Sequence, residues 1–270
     1  MLGKLIKNDF KTSSHTMGMI YLAAAIAVAF MAFSYIFEVT WISGVATMAL
    51  LAISVIAVVV TFVCVVVDFQ KTLFGNQGYL SHTLPVTSGQ LVISKMVVSF
   101  SWMLLSYAVG IAILVGVYGY ASAMIGDDVR VAFQLFTLFF EGLPSSSTIK
   151  VVVVLGLLVI FIRIILLIAQ LFFAITLSNT RVMTKFGAFA AIIIFFALFL
   201  LMTVASTVLA NYIPLSIVAD SAGIRFSTSS SMADPNGFTF GVVGTLFNLV
   251  GSVALFAGSA RLMDTKINIK

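Results

Sequence analysis

Asp68–Lys95, DFQKTLFGNQGYLSHTLPVTSGQLVISK, is a polar, turn-rich interruption between two long apolar runs, Gly44–Val67 and Met96–Tyr118. Gly75, Asn76 and Gly78 supply turn residues, and Pro85 closes off any helix that precedes it. Thr87 or Ser88 is placed to cap a new helix that runs through Lys95 into the next apolar run. The stretch therefore reads as a loop carrying a short helix. It also holds Phe69, Leu73, Phe74, Tyr79, Leu80 and Leu84, more apolar surface than a solvated connector needs, so this surface calls for a partner.

The flanking runs set the class. The chain is 61% hydrophobic and 9% charged, with mean hydropathy +1.20; soluble domains carry about 25% charged residues. This is the composition of an integral membrane protein, with no soluble block long enough for a second domain, so residues 1–270 read as one transmembrane domain. Apolar runs cover about 17–37, 44–67, 96–118, 149–177, 186–210 and 238–259. Each is long enough for a hydrocarbon core that needs about 20 helical residues, and none alternates as a membrane barrel strand does. The fold class expected is all-α with six transmembrane helices. The run 17–37 exceeds a signal-peptide core and is read as a retained first span.

Residues 1–14 read as an interfacial helix, with Lys4, Lys7 and Lys11 on one side and Leu2, Leu5, Ile6 and Phe10 on the other. Lysines so placed face membrane lipid headgroups. Asp9 breaks this pattern, since it projects among the apolar positions.

The net charge of +5 is read as a topology signal and not as a nucleic-acid footprint. With the N-terminus inside, Lys4, Lys7, Lys11, Lys71, Lys95, Arg181, Lys185, Arg261, Lys266 and Lys270 are cytoplasmic, against Arg130, Lys150 and Arg225 outside. Both termini are then cytoplasmic. The outer connectors are a tight turn at 38–43, a segment at 119–147 with the phenylalanine-rich VAFQLFTLFF, and a segment at 211–237 that joins apolar IPLSIVA to polar STSSSMADPNG.

Arg163 is the one basic residue deep in a span, where a charge costs a few kcal/mol, roughly 2.5–3.5 on insertion scales. Its expected intramembrane partners are Gln170 on its own helix and Asn248 of the sixth span, backbone carbonyls or water; a clamp between helices and a contact to an anionic or amphiphilic substrate are both open. GFTFG at 237–241 fits a small-xxx-small helix contact, a motif common enough in apolar segments to be read as local packing. Cys64 is alone in an apolar run and reads as packing.

Catalytic motifs are missing. GxxxxGK[ST] and HExxH do not occur. His15 and His82 lie near or in the cytoplasm by this topology, away from Ser43, so neither an intramembrane zinc site nor a serine protease pair is expected. Without charged relays across the spans, a secondary carrier ranks behind other readings.

GYLSHTLPVTSGQLVISK, preceded by DFQKTLFG, resembles the first cytoplasmic loop of the type 2 ABC exporter permeases, particularly the stand-alone bacterial kind. The opening MLGKLIKNDFK and the closing RLMDTKINIK are similar to that family as well. The resemblance implies a type 2 ABC permease-like fold in the cell membrane, with 68–95 as the cytoplasmic coupling loop that docks on a separate ATP-binding-cassette ATPase subunit. Leu73, Phe74, Tyr79, Leu80, Leu84 and Pro85 are its expected docking residues. It further implies a second permease subunit, ATP and Mg bound by the ATPase and not by this chain, and short re-entrant helices within 211–237. The competing class is a membrane scaffold or sensor subunit whose loop recruits a cytoplasmic partner.

The basic asymmetry yields a topology test. Cysteines placed at Asn211 and Ser229 are expected to react with a membrane-impermeant thiol reagent added outside intact cells, and one at Thr180 to stay unreacted. Reversed labelling would overturn the orientation.

Overall fold

The computed structural model describes residues 2–36, 40–75, 87–124, 146–180, 183, 186–220, 223–228 and 238–265. Among them are six helices long and apolar enough to cross a membrane. They are α1 (Leu2–Ile36), α2 (Thr40–Leu73), α3 (Ser88–Met124), α4 (Ser146–Ser178), α5 (Gly187–Tyr212) and α6 (Val242–Thr265). Large apolar side chains cover their outer surfaces, among them Leu22, Met48, Val55, Phe196, Leu200 and Val250, each more than half exposed. Helices apolar on every side belong in a hydrocarbon solvent. The chain is a multi-pass membrane protein with all six expected spans.

The chain forms two compact units. One comprises 1–72 and 93–135; the other comprises 73–92 and 136–270. In the first, α2 and α3 form an antiparallel hairpin with α1 beside it. Ala24, Ala46, Leu50, Ile113 and Val117 make its apolar core. Gly110 lets α3 approach α2 closely, since a Cβ there would lie 3.7 Å from the Ser54 carbonyl oxygen.

Among the boundaries that differ from those expected, two bear on the loop and the N-terminal segment. Residues 1–14 and the first span are one continuous helix, α1, with no break between an interfacial part and a spanning part. The loop 68–95 is shorter, because α2 continues through Leu73 and α3 starts at Ser88. Nothing in DFQKTL stops a helix, and Phe69 and Leu73 are both buried at 1% exposure, so tertiary packing extends α2 past the apolar run. Thr87 caps α3 as its position suggests: its Oγ1 accepts from the Gln90 amide at 3.4 Å and its carbonyl from the Leu91 amide at 3.2 Å.

In the second unit α4, α5 and α6 pack together around Leu166, Ala169 and Leu255, with Phe173, Leu198, Met202 and Phe256 against them. Small residues set the spacing. A Cβ on Gly258 would sit 2.8 Å from the Phe173 ring, and one on Gly251 3.1 Å from the Met202 methyl.

Between α5 and α6 the structure corrects the expectation of re-entrant helices or a plain loop. β1 (Ser216–Asp220), β2 (Gly223–Ser227) and β3 (Phe238–Gly241) form an antiparallel sheet in the order β2-β1-β3. Pro214 ends α5, having no amide to continue it. Gly223, at φ 113°, opens β2 in a conformation side chains other than glycine's disfavour. Ala219, Phe238 and Phe240 pack on Ile149 and Val152 of α4, while Ser216 and Val218 are buried on the opposite face. GFTFG is thus largely strand β3 and not a helix contact, because its alternating phenylalanines cover α4 from a pleated surface.

The tight contact at Gly258 yields a stability test. Gly258→Val forces the Phe173 ring out of its packing and is expected to lose about 1–3 kcal/mol. Gly251→Ala meets only the far end of a flexible methionine and is expected to lose less. Thermal unfolding of the two purified variants in detergent checks the order.

Candidate functional site

Asp68 and Lys95, the two ends of the loop stretch, meet. Lys95 Nζ lies 2.9 Å from Asp68 Oδ2 and 3.0 Å from Asp9 Oδ1. Ser94 Oγ donates to Asp9 Oδ2 at 2.6 Å. The Lys95 side chain is only 7% exposed, with Asp9 at 15% and Asp68 at 27%. An ammonium in so dry a place requires counter-charge. Two carboxylates supply it, one from α1 and one from α2, so the cluster carries one formal negative charge in excess and joins three helices at one point.

Its neighbours continue the polar contact along the unit. Ser106 Oγ on α3 lies 2.8 Å from Tyr21 Oη of α1 and 2.7 Å from Thr61 Oγ1 of α2, and Thr61 also donates to the Ala57 carbonyl. Ser106 and Thr61 are fully buried. The Trp102 ring packs between Phe10 and Tyr21, at centroid distances of 5.6 and 6.1 Å. An ionic layer and a hydroxyl layer thus lock α1, α2 and α3 before the apolar core begins.

Asp9, which disturbs the amphipathic pattern of 1–14, is therefore an ion-pair partner inside the protein. The cluster was not foreseen, although its signal was present: one acid out of place on α1, and charges of opposite sign bracketing the loop. The expected docking residues divide. Leu73 is buried at the end of α2, 1% exposed. Phe74 is half-buried at the end of α2. Tyr79, Leu80, Leu84 and Pro85 lie outside the described residues. Beyond Thr87, the loop's return is tied by Ser88 Oγ donating to Asp264 Oδ1 near the end of α6.

The intramembrane polar residues also separate. Gln170 and Asn248 are buried, each 2% exposed, but Arg163 is exposed midway along α4. Its guanidinium makes no hydrogen bond or ion pair among the described residues, so the expected pairing with Gln170 or Asn248 is not formed. Asn248 Oδ1 is buried without a hydrogen-bond donor.

No family model matches the chain, and neither a curated protein nor a solved structure matches it significantly.

Removing Lys95 tests the cluster. Lys95→Met leaves two carboxylates facing each other without a cation and is expected to lose about 3–5 kcal/mol, the cost of breaking a buried pair. Asp68→Asn keeps the Asp9 partner and is expected to lose less. Melting curves in detergent, with the Asp9→Asn/Asp68→Asn/Lys95→Met triple variant as the uncharged reference, measure both; equal stability of Lys95→Met and the parent would show that the cluster holds nothing together.

Proposed function

We propose that this chain is the membrane-spanning permease subunit of an ATP-driven ABC exporter in the cell membrane, with both termini cytoplasmic. It works with a second permease subunit and with a separate ATPase subunit that binds ATP and Mg. The observation that carries the reading is the clip at the base of the loop, where Lys95 joins Asp68 and Asp9.

A loop that drives spanning helices must be firmly rooted in them. In this reading, closure of an ATPase pair on ATP displaces the apolar loop between Phe74 and Pro85. The clip makes the root of α2 and the root of α3 move together, and Asp9 carries α1 with them. The hydroxyl contacts of Tyr21, Thr61 and Ser106 pass the displacement further along the same three helices. A packed array of this kind shifts between discrete arrangements and does not deform smoothly, which suits a path alternating between inward and outward openings. The chain's share is mechanical: it contains no phosphate-binding loop, and hydrolysis belongs to the partner.

Tyr79 and Leu80 are the docking anchors of this proposal, since interface energy concentrates in a few large side chains, at about 2 kcal/mol or more each. Replacing both with Asp is expected to leave insertion and expression intact and to abolish co-purification of a P-loop ATPase or its coupling to transport. Lys95→Gln is expected to keep the ATPase bound while uncoupling its hydrolysis from transport. If the Tyr79/Leu80 variant recruits and couples the ATPase normally, the docking role is wrong; if no P-loop subunit accompanies even the parent protein, the exporter reading fails in favour of a scaffold or sensor.

A further inference from the structure

Arg163 is the one charged residue in the central turns of any described span. It stands midway along α4, with at least roughly 22 Å of helix on either side at 1.5 Å per residue. The hydrocarbon core is about 30 Å thick, so wherever α4 spans it from side to side Arg163 lies within it, where an unpaired charge is expensive. The other charges on the spanning helices lie towards helix ends: Lys4, Lys7, Asp9 and Lys11 on α1, Asp68 and Lys71 on α2, Lys95 on α3, Lys150 on α4, and Arg261 and Asp264 on α6.

Asn248, a buried acceptor at its depth, is inadequate. Leu166 packs at Gly251 and Phe173 at Gly258, so α4 and α6 run side by side in the same direction. Arg163 lies three residues before Leu166, as Asn248 lies three before Gly251, which puts the two at one level. The buried Asn248 Oδ1 has no donor. It can take one of the five guanidinium N–H groups, but a neutral amide brings no compensating charge. A second copy of the chain offers no better from its described spans, since these bring another Arg163 and no acid in their central turns.

The surroundings favour a helix as the missing partner. Gly156, two turns before Arg163 on the same side of α4, has open space where a Cβ would be, so a helix backbone can come close there. Ile160, between them, is exposed. A water-lined path would leave these apolar positions wet, whereas a packed helix covers them and brings a carboxylate to the arginine.

From this arrangement we propose that the Gly156–Arg163 face of α4 docks a transmembrane helix of a different polypeptide, one that carries an Asp or Glu at its middle. The proposal requires only that α4 spans the membrane and is independent of the exporter reading. Where the exporter reading holds, it makes the assembly heteromeric.

The test places the photo-crosslinking residue p-benzoylphenylalanine at Ile160, in the full chain expressed in its native cells. The expected product is an adduct with another polypeptide whose cross-linked segment is an apolar stretch containing one carboxylate. Arg163→Glu is expected to reduce that adduct at least tenfold, Arg163→Lys to retain it, and exchange of the partner's carboxylate for Arg to restore it in the Arg163→Glu background. Restoration by charge exchange separates docking from misfolding. An adduct with a second copy of this chain, cross-linking to lipid alone, or an adduct unchanged by Arg163→Glu would overturn the proposal. So would full-rate reaction of a charged methanethiosulfonate with Arg163→Cys in a Cys64→Ala background, which would put the position in water.

Discussion

An ammonium group almost sealed from solvent cannot stand without counter-charge, and this constraint at Lys95 organises the first unit. Asp9 and Asp68 meet it from two helices at once. The consequence reaches beyond local stability. Helices apolar on every side have no hydrophobic face to choose their rotation, because lipid and protein interior are equally apolar; close packing and polar contacts must choose it. The ion layer at Lys95 and the hydroxyl layer at Ser106 perform that choice for α1, α2 and α3. Ala24, Ala46 and Gly110 can then lie against neighbouring helices.

The second unit is held differently. Its close contacts are made by glycines against Phe173, Met202 and the Ser206 carbonyl, and by a small sheet whose phenylalanines lie on α4. Packing of this kind supports a single tight arrangement, since each glycine leaves room for one side chain of a given shape. Arg163 stands outside this arrangement. The first unit resolves its buried cation internally, while the second leaves its mid-membrane cation turned outward, which directs attention to what lies beside the chain.

In the exporter reading, the two treatments of charge serve different tasks. The internal cluster makes the loop's two roots one body, so force applied to the loop acts on three helices. The outward arginine selects a neighbour. Both rely on the same physics, in which low dielectric raises the cost of separating opposite charges and makes their pairing specific.

The six long apolar helices, the helical class and a cap at Thr87 or Ser88 were legible in the sequence, because run length, apolarity and turn chemistry are local properties. The same locality explains what was not legible. Whether Asp68–Leu73 is loop or helix depends on burial of Phe69 and Leu73, and whether IPLSIVA and GFTFG are helical depends on their pairing as β1 and β3 over the surface of α4. Asp9 was visible as an anomaly on α1, but its partner lies far along the chain. Arg163 was visible as a charge in a span, yet its surroundings were not: it shares a face of α4 with Gln170 two turns on, and only tertiary packing leaves Gln170 buried and the arginine exposed. The sequence alone determined how many times the chain crosses and where its charges fall. The tertiary structure decided which of those charges meet, because in apolar helices the rotation that brings side chains together is chosen by contacts between distant segments.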